Sequence, residues 1–363
     1  MANRATERRW LGQLTSIPTA PGSEHRVMAW VRNWAGRRPD VLVREDAHGN
    51  LLLTQRGRQS RAPVVAVAHT DHPGFVVTDV TGRAAAVEFR GGVRREYFES
   101  ARLEVFDCHG EAHRGRLTGF DHDSSTGLVL LDRVAPLAPG DMARWSFGSN
   151  RVGLNERFAL APACDDLAGA AAALAALDRA RGERRLRHLG VLLTRAEEVG
   201  FVGAIGAYRD RTVPADARIL SIECSRASAD APLGAGPVVR VGDASSVFDH
   251  RVTNVIAEAA SVSGLTHQRK LMTGGSCEAT AFVAYGYAAT GLCLPLRNYH
   301  NMGFLDEVEQ GKGKPTLLPE MVSIADYHGL IDLLLLATRA VDTESSLVSR
   351  LEDRFAGSKE MLA

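Results

Sequence analysis

Two adjacent glutamates, Glu197 and Glu198, follow the apolar segment Gly190–Thr194 and form the sharpest chemical signal in the sequence. Adjacent glutamates usually lie on a solvated helix surface. Here they follow a segment with the pattern of a buried strand, where an unpaired carboxylate is costly. Because neighbouring side chains point in different directions, one carboxylate can bind a metal ion while the other faces the water on that ion. A general base beside a Lewis acid requires this division of roles.

A histidine and an aspartate, His69 and Asp71, stand at the end of another apolar segment, Val64–Ala68. The carboxyl ends of strands are where open α/β sheets place their functional sites. Strand alternation puts both side chains on the same side, so the Asp71 carboxylate can orient the His69 imidazole or a metal-bound network. The structural alternative is a histidine at a strand end beside a solvated aspartate.

Two aspartates, Asp165 and Asp166, precede the alanine-rich segment Ala168–Arg179, which has the pattern of a helix. Aspartate is a favoured residue before a helix, so the structural alternative is a helix cap. Capping needs only one carboxylate, and the second adds repulsion that a divalent cation would relieve.

Two further segments repeat the theme: the apolar run that ends in Glu223, and Ala289–Leu294, which precedes His300. Each residue alone could be an ordinary loop residue. Together, five successive strand or loop ends carry histidine, aspartate, paired glutamates, glutamate and histidine. Two imidazoles and three carboxylates suit two divalent cations that share one bridging carboxylate.

The elements that must position these residues are predicted from hydrophobic periodicity. Helical and strand patterns alternate from Leu167 onward, which is typical of an α/β fold with a mixed central sheet flanked by helices. The last of these patterns predicts a long C-terminal helix over Leu318–Val341.

The pattern changes between Gly74 and about Asn155 to short alternating strands separated by turn residues. This pattern predicts a small all-β domain. We therefore predict an α/β catalytic domain formed by residues 1–71 and 163–363. An inserted β-barrel-like domain, residues 72–162, would interrupt it.

Charge is balanced, with 43 Lys and Arg residues against 43 Asp and Glu residues among 363. Such a chain has no global field to attract nucleic acid or an anionic membrane, so we expect neither partner and favour a small-molecule or peptide substrate. The five cysteines are scattered without C-x-x-C spacing, which argues against a disulfide framework or a zinc–thiolate site and favours the cytoplasm. We expect no signal peptide and no membrane-spanning segment.

In their order and spacing, these motifs resemble the glutamyl/leucyl aminopeptidase family of cocatalytic metallopeptidases, which includes the tetrahedral aminopeptidases. The combination is specific and covers nearly the whole chain, although each motif alone is weak. The matching motifs are His69-Thr70-Asp71, Asp165-Asp166-Leu167-Ala168-Gly169, Glu197-Glu198-Val199-Gly200, Glu223, Gly234-Ala235-Gly236-Pro237, Gly274-Gly275-Ser276 and Arg297-Asn298-Tyr299-His300. The resemblance implies a zinc-exopeptidase-like fold that includes the inserted β domain.

The resemblance also implies a function: a di-metal aminopeptidase that releases N-terminal residues from peptides with a metal-activated water. It implies five metal ligands: His69 and Glu223 for one ion, Glu198 and His300 for the other, and Asp165 between them. Glu197 would be the general base and Asp71 would support the site. A cis peptide bond would join Asp165 to Asp166. We expect zinc, with cobalt or manganese as alternatives, and a homo-oligomer assembled through the inserted domain.

Departures from the family pattern keep other functions open. His72 stands where an acidic residue is usual, Glu223 where aspartate is commoner, and Ser276-Cys277-Glu278 replaces a threonine–aspartate pair. The longer arm of Glu223 leaves a di-metal carboxypeptidase or deacylase as an alternative. A catalytically silent scaffold is another, although a scaffold has no need of a general base. A serine hydrolase is disfavoured because no G-x-S-x-G motif is present, and no histidine motif near Cys277 supports a thiol nucleophile.

Overall fold

The computed structural model describes residues 2–57, 61–99, 101–148, 152–343 and 346–362. The α-helices, numbered along the chain, are α1 (Arg4–Leu14), α2 (His25–Gly36), α3 (Leu167–Ala180), α4 (Val202–Arg209), α5 (His250–Val262), α6 (Glu278–Ala284), α7 (Leu305–Glu309), α8 (Ile324–Ala340) and α9 (Leu347–Ser358). The strands are β1 (Val41–Glu45), β2 (Leu51–Gln55), β3 (Val64–His69), β4 (Gly74–Thr81), β5 (Ala84–Arg90), β6 (Arg102–Phe106), β7 (Ala112–Asp121), β8 (Thr126–Leu131), β9 (Met142–Trp145), β10 (Gly153–Leu154), β11 (Phe158–Ala161), β12 (Leu189–Thr194), β13 (Arg218–Arg226), β14 (Val238–Gly242), β15 (Gln268–Leu271), β16 (Ala288–Arg297), β17 (Met302–Gly303), β18 (Thr316–Leu317) and β19 (Glu320–Ser323).

One large mixed sheet organises the α/β part of the chain. Its strand order is β1-β2-β12-β3-β13-β16-β19-β11-β10, and β14 joins β16 to β15. The central strands β12, β3, β13 and β16 run parallel, so their carboxyl ends meet at one edge. Both β3 and β12 are buried along their whole length, as expected of parallel strands covered on both faces. The predicted fold class, a mixed central sheet flanked by helices, is confirmed.

Helices cover both faces of this sheet. On one face, α3 packs against β3, β12 and α8, and every residue of α3 except Arg179 is buried. Its small side chains allow a close approach to the sheet: a Cβ atom added at Gly169 would lie 2.5 Å from Ile222 Cγ2. On the other face, residues of α4 and α6 pack on β3, β12 and β13. The close packing of α3 on the sheet fixes the position of the loop before this helix, and that loop carries Asp165.

A closed six-stranded barrel with the order β4-β5-β8-β7-β6-β9 follows β3 in the chain. Its interior is aromatic, with Phe75 against Trp145 and Phe89 against Phe98, each pair with ring centroids 4.9 Å apart in edge-to-face geometry. Closure leaves the barrel without exposed strand edges. The predicted small all-β domain is therefore present.

The chain returns from the barrel to the large sheet through β10 and β11, and β11 pairs with β19. These two strands fall inside the predicted insertion, residues 72–162, yet extend the α/β sheet. The barrel strands themselves lie between Gly74 and Trp145, and the exact boundaries of two domains remain a prediction.

The predicted helix Leu318–Val341 is wrong over its first residues. β19 occupies Glu320–Ser323 and pairs with β11 and β16, and α8 begins only at Ile324. The Ser323 hydroxyl accepts a hydrogen bond of 3.2 Å from the Asp326 N–H and so caps α8. Strand pairing with distant parts of the chain overrides the local helical periodicity. Within the described ranges, every helix is too short or too polar to cross a lipid bilayer.

Candidate metal centre

The carboxyl edge of the parallel strands gathers the residues that the sequence singles out. His69 ends β3, Glu197 and Glu198 follow β12, Glu223 lies in the last half of β13, and His300 follows β16. Asp165 joins them from the loop before α3, and its peptide bond to Asp166 is cis. Residues from well-separated parts of the chain thus share one buried region, as the strand-end pattern requires.

The Asp165 carboxylate lies between the two histidines. Its Oδ1 is 3.3 Å from His69 Nε2, and its Oδ2 is 3.5 Å from His300 Nε2. On the His300 side of Asp165, Glu198 Oε1 lies 3.1 Å from His300 Nε2. Among the described residues, potential ligand atoms within 4.8 Å of one another form four triads, and two of them consist only of predicted ligands: His69–Asp165–Glu223 and Asp165–Glu198–His300. The other two are His69–Glu197–Glu198 and Asp165–Asp166–Cys224. The two triads of predicted ligands share Asp165.

Each of these five side chains has a buried polar atom without a hydrogen-bond partner. The five atoms are His69 Nε2, Asp165 Oδ1, Glu198 Oε1, Glu223 Oε2 and His300 Nε2. Buried polar atoms are almost always paired, so a cluster of unpaired ones calls for a bound partner. All are nitrogen or carboxylate oxygen donors, which suit divalent cations such as zinc. The donor set therefore fits two cations with Asp165 between them.

The shifts in pKa at the site also favour bound cations. Burial, reinforced by neighbouring carboxylates, raises the pKa of Glu223 and of Glu197 well above the usual range. Burial would lower the pKa of His69, but the carboxylates of Glu197, Asp165 and Asp71 raise it instead. Buried carboxylates that lack sufficient positive charge take up protons in this way. Divalent cations would replace those protons.

Asp71 holds the segment that carries the two glutamates. Its Oδ1 and Oδ2 accept hydrogen bonds of 3.0 Å from the main-chain N–H groups of Glu197 and Glu198. Its Oδ1 also lies 3.5 Å from His69 Nδ1. A single buried carboxylate therefore contacts both the histidine and the paired glutamates.

Glu320 is a part of the site that the sequence analysis missed. Its Oε2 accepts hydrogen bonds from the N–H groups of Cys164, at 2.7 Å, and Asp165, at 3.0 Å. Its Oε1 accepts another, 2.8 Å long, from the His300 N–H. The sequence did contain one signal against a helix at this point. A residue that precedes a proline disfavours helical geometry, so Pro319 argues against a helix that begins at Leu318.

His72, one of the departures from the family pattern, supports the same loop. Its Nδ1 is 2.7 Å from the Asp165 carbonyl oxygen, and its Nε2 is 3.1 Å from Asn301 Oδ1. Asn301 in turn donates to the Pro162 carbonyl at 3.0 Å. His300 has a φ of 52°, a left-handed conformation that is uncommon for non-glycine residues.

The remaining sequence candidates do not form a nucleophile. Cys277 is fully buried, and burial raises the pKa of its thiol to about 11. A thiolate is the reactive form, so this environment makes Cys277 inert. Glu278, which follows it, is buried near the site, and burial raises its pKa to about 7.

Comparison with known proteins adds to this geometry. The family model of the M42 glutamyl aminopeptidases matches residues 136–310, a stretch that contains every predicted ligand except His69. A search of curated proteins found no match.

Solved structures match the fold over most of the chain. The TET aminopeptidase from the marine sediment archaeon Thaumarchaeota archaeon SCGC AB-539-E09 matches with a TM-score of 0.76 at 20% identity, covering 94% of this chain and 98% of that one. The aminopeptidase APDkam598 from the archaeon Desulfurococcus kamchatkensis matches with a TM-score of 0.74 at 20% identity, covering 94% and 96%. The Pyrococcus horikoshii TET1 peptidase, which can assemble into a tetrahedron or a large octahedral shell, matches with a TM-score of 0.73 at 18% identity, covering 93% and 99%. At these identities the likeness establishes the fold.

Proposed function

We propose that this peptide hydrolase, which is similar to the M42 glutamyl aminopeptidases over residues 136–310, removes N-terminal residues from peptides at a site for two divalent cations. The observation that carries the proposal is that His69–Asp165–Glu223 and Asp165–Glu198–His300 form two donor triads with Asp165 in common. In this proposal His69 and Glu223 would hold one ion, Glu198 and His300 would hold the other, and Asp165 would contribute to both.

Glu197 is the proposed general base. Two bound cations would supply Lewis-acid chemistry by lowering the pKa of a shared water and polarising the scissile carbonyl. Glu197 accepts the proton of that water and returns it to the leaving amine. Its Oε2 is 4.0 Å from His69 Nε2, and Glu197 lies within ligand distance of His69 and Glu198, so it is close to the proposed ions. The two triads made up of the proposed ligands are complete without Glu197, which leaves its carboxylate for the base. Asp71 holds the main chain of Glu197 in position.

A conservative substitution separates the base from the ligands. Glu197→Gln removes the proton acceptor but keeps the shape, so we expect turnover of an aminoacyl anilide to fall about 10²- to 10⁴-fold. Metal content, measured by elemental analysis, should stay at the wild-type value. Glu352→Gln, at an exposed glutamate on α9, is the control and should change neither quantity. Turnover at the wild-type rate in Glu197→Gln would remove Glu197 from the mechanism.

The metal and the polarity of cleavage are tested together. We propose zinc, since imidazole and carboxylate donors suit it, with cobalt and manganese as comparison ions. Two equivalents of zinc should bind per chain and support cleavage of free-amine substrates, while N-acetylated substrates stay intact. Cleavage of only the N-acetylated or C-terminal substrates would favour the deacylase or carboxypeptidase alternative. No cleavage of any substrate would favour the scaffold.

We also propose that the chain forms a homo-oligomer through the barrel and acts in the cytoplasm. The P. horikoshii TET1 peptidase can assemble into a tetrahedron or a large octahedral shell, and this chain shares its fold. On the barrel, Leu128 and Leu130 of β8 are 41% and 43% exposed, so this strand presents apolar side chains to a possible partner. All five cysteines are free thiols, which fits a reducing compartment.

A further inference from the structure

A cavity of about 760 Å³ lies between α1, α2 and the last turn of α3. Its volume falls in the range of small-molecule sites. Asp178, in the last turn of α3, is part of the lining, whereas Asp165 of the candidate metal centre precedes the first turn of the same helix. The helix between these two residues spans about 20 Å, so the cavity is separate from the metal centre.

Tryptophans are concentrated in this cavity. Three of the four in the chain, Trp10, Trp30 and Trp34, line it. Trp10 and Trp34 meet edge to face, with ring centroids 5.6 Å apart, and the Arg38 guanidinium lies 3.8 Å from the centroid of the Trp34 ring. Trp30 differs: it is half-buried against the hydrophobic core, and among the described residues no ring or guanidinium stacks on it. The Trp30 ring therefore offers free aromatic surface to the cavity.

Polar residues accompany the tryptophans at helical spacing. Arg9 and Gln13 are four residues apart on α1, and Trp30, Asn33 and Arg37 follow the spacing i, i+3, i+7 on α2 and at its end. Residues spaced in this way lie on one face of a helix. A helix face that only packs against a neighbouring helix is apolar. Here each face carries an arginine and an amide, which indicates a surface that meets a polar ligand.

Positive charge is in excess at this cavity, because four arginines and one aspartate line it. Two of the arginines are paired with the aspartate: Arg38 Nε lies 2.6 Å and Arg181 Nη1 lies 2.8 Å from Asp178 Oδ1. The other two are not. Within the described part of the chain, the side chains of Arg9 and Arg37 make no hydrogen bond and no ion pair. Both guanidinium groups are therefore available to an anion.

Free aromatic surface and free guanidinium groups suit two parts of one ligand. A planar base stacks on an aromatic side chain, and this contact is a main source of affinity where proteins hold unpaired bases. Phosphate oxygens accept paired hydrogen bonds from a guanidinium group. A nucleotide carries both a base and a phosphate.

We propose that this cavity binds a nucleotide, with the base on Trp30 and the phosphates at Arg9 and Arg37. The side-chain amides of Gln13 and Asn33, which can both donate and accept hydrogen bonds, would contact the ribose or the edge of the base. The inference does not rest on the proposed peptidase function, because the cavity shares no residue with the metal centre.

Titrations of the full-length, zinc-loaded protein with ATP, adenosine and tripolyphosphate test the inference. Calorimetry should show that ATP binds more tightly than either of the others, since each of them carries only one of the two recognised groups. The tryptophan fluorescence should change during the ATP titration, because three tryptophans line the cavity. Tripolyphosphate that binds as tightly as ATP would exclude the contact with Trp30, and adenosine that binds as tightly would exclude the arginines. Either result would overturn the inference, as would the absence of ATP binding.

The arginines are tested by the double variant Arg9→Met/Arg37→Met. Its affinity for ATP should fall about 10- to 100-fold, as expected for the loss of hydrogen bonds to a charged group. Arg32→Met is the matched control, because Arg32 is an exposed arginine of α2 that pairs with Glu45 at 2.6 Å and lies outside the lining. Its affinity should stay within about twofold of the wild type, since an exposed paired charge contributes little.

Trp30→Ala tests the stacking contact. Its affinity for ATP should fall about 5- to 100-fold, the range measured for a base on an aromatic side chain. Its affinity for tripolyphosphate should not change, a split that a general loss of structure would not produce. If Trp30→Ala does not fold, Trp30→Leu keeps apolar packing against the core and removes the aromatic surface, and the same split is expected. Equal losses for both ligands in Trp30→Leu would contradict the stacking role.

Other occupants give different results. ATP that binds Arg9→Met/Arg37→Met with wild-type affinity would lie elsewhere, for example with its phosphates on the zinc ions, and the inference would be wrong. A single-stranded oligonucleotide that binds more tightly than ATP would assign the cavity to a nucleic-acid strand. A smaller native mass in Arg9→Glu/Arg37→Glu would make the cavity a contact between subunits. These last two results would also overturn the inference, and all of them leave the peptidase proposal to be judged by turnover alone.

Discussion

The carboxylate of Glu320 joins the two segments that supply Asp165 and His300. It accepts main-chain N–H groups from both, and it is fully buried. Because a carboxylate only accepts, all three of its hydrogen bonds are matched to donors. Glu320 touches no proposed ligand atom, so we infer that it acts by fixing the distance between the bridging aspartate and the second histidine.

Replacing Glu320 by glutamine should weaken the metal site. The new amide N–H₂ would face N–H donors on one side, which should lower zinc affinity about 10- to 100-fold. Zinc titration by calorimetry measures this, and turnover should recover at saturating zinc. Glu7→Gln is the control, because Glu7 is also fully buried but pairs with Arg179 at 2.5 Å instead of with the site segments. Its unfolding temperature should fall while its zinc affinity stays unchanged. Equal zinc affinity in Glu320→Gln would contradict the positioning role.

The sequence alone was enough to identify residues whose role is indicated by their neighbours in the chain. His69 and the Glu197–Glu198 pair stand out because charged groups directly follow apolar strands. Glu320 does not, because it acts on a loop 155 positions earlier in the chain. That property cannot be read from the residues next to Glu320.

At the scale of elements, the close approach of α3 to β13 determines where Asp165 lies. Gly169 is in the first turn of α3, and a Cβ there would come within 2.1 Å of Asp166 Oδ1 and 2.5 Å of Ile222 Cγ2. The helix can occupy this position only because that residue has no side chain.

Gly169→Ala should therefore push the first turn of α3 away from the sheet. We expect a loss of about 1–3 kcal/mol in the free energy of unfolding, as for overpacked cores, together with weaker zinc binding. Gly357→Ala is the matched control in another helix, α9, where nothing lies within 4 Å of the added Cβ. That change should be neutral or stabilising, since alanine favours helix over glycine. Chemical denaturation measures both, and an unchanged Gly169→Ala protein would refute the packing argument.

Elements whose signal is local were predicted well from sequence, and elements that depend on partners were not. β3 and β12 can be recognised in the sequence as unbroken apolar runs, because both faces of these strands are covered. β19 was assigned to a helix because its residues continue the periodicity of α8, and only pairing with β11 and β16 makes it a strand. β14 and β15 form at the side of the sheet by pairing with each other and with β16, information that their own residues do not contain.

At the scale of the whole molecule, the barrel is the surface that we expect to join subunits. If so, Leu130→Glu should dissociate the assembly, because it places a charge in an apolar contact. Native mass spectrometry should then give the mass of a smaller species. Leu351→Glu, at a leucine of α9 that is 53% exposed, is the control and should leave the mass unchanged. Dissociation by Leu351→Glu and not by Leu130→Glu would move the interface to α9.

The order in which the donors occur along the chain has a consequence for protein synthesis. His69 leaves the ribosome long before His300 and before Glu320, which holds the main chain of His300. A nascent or prematurely terminated chain that stops before Glu320 therefore cannot complete the second triad in its supported form. Such a chain would stay inert until Glu320 has been made, which would spare neighbouring nascent proteins from trimming.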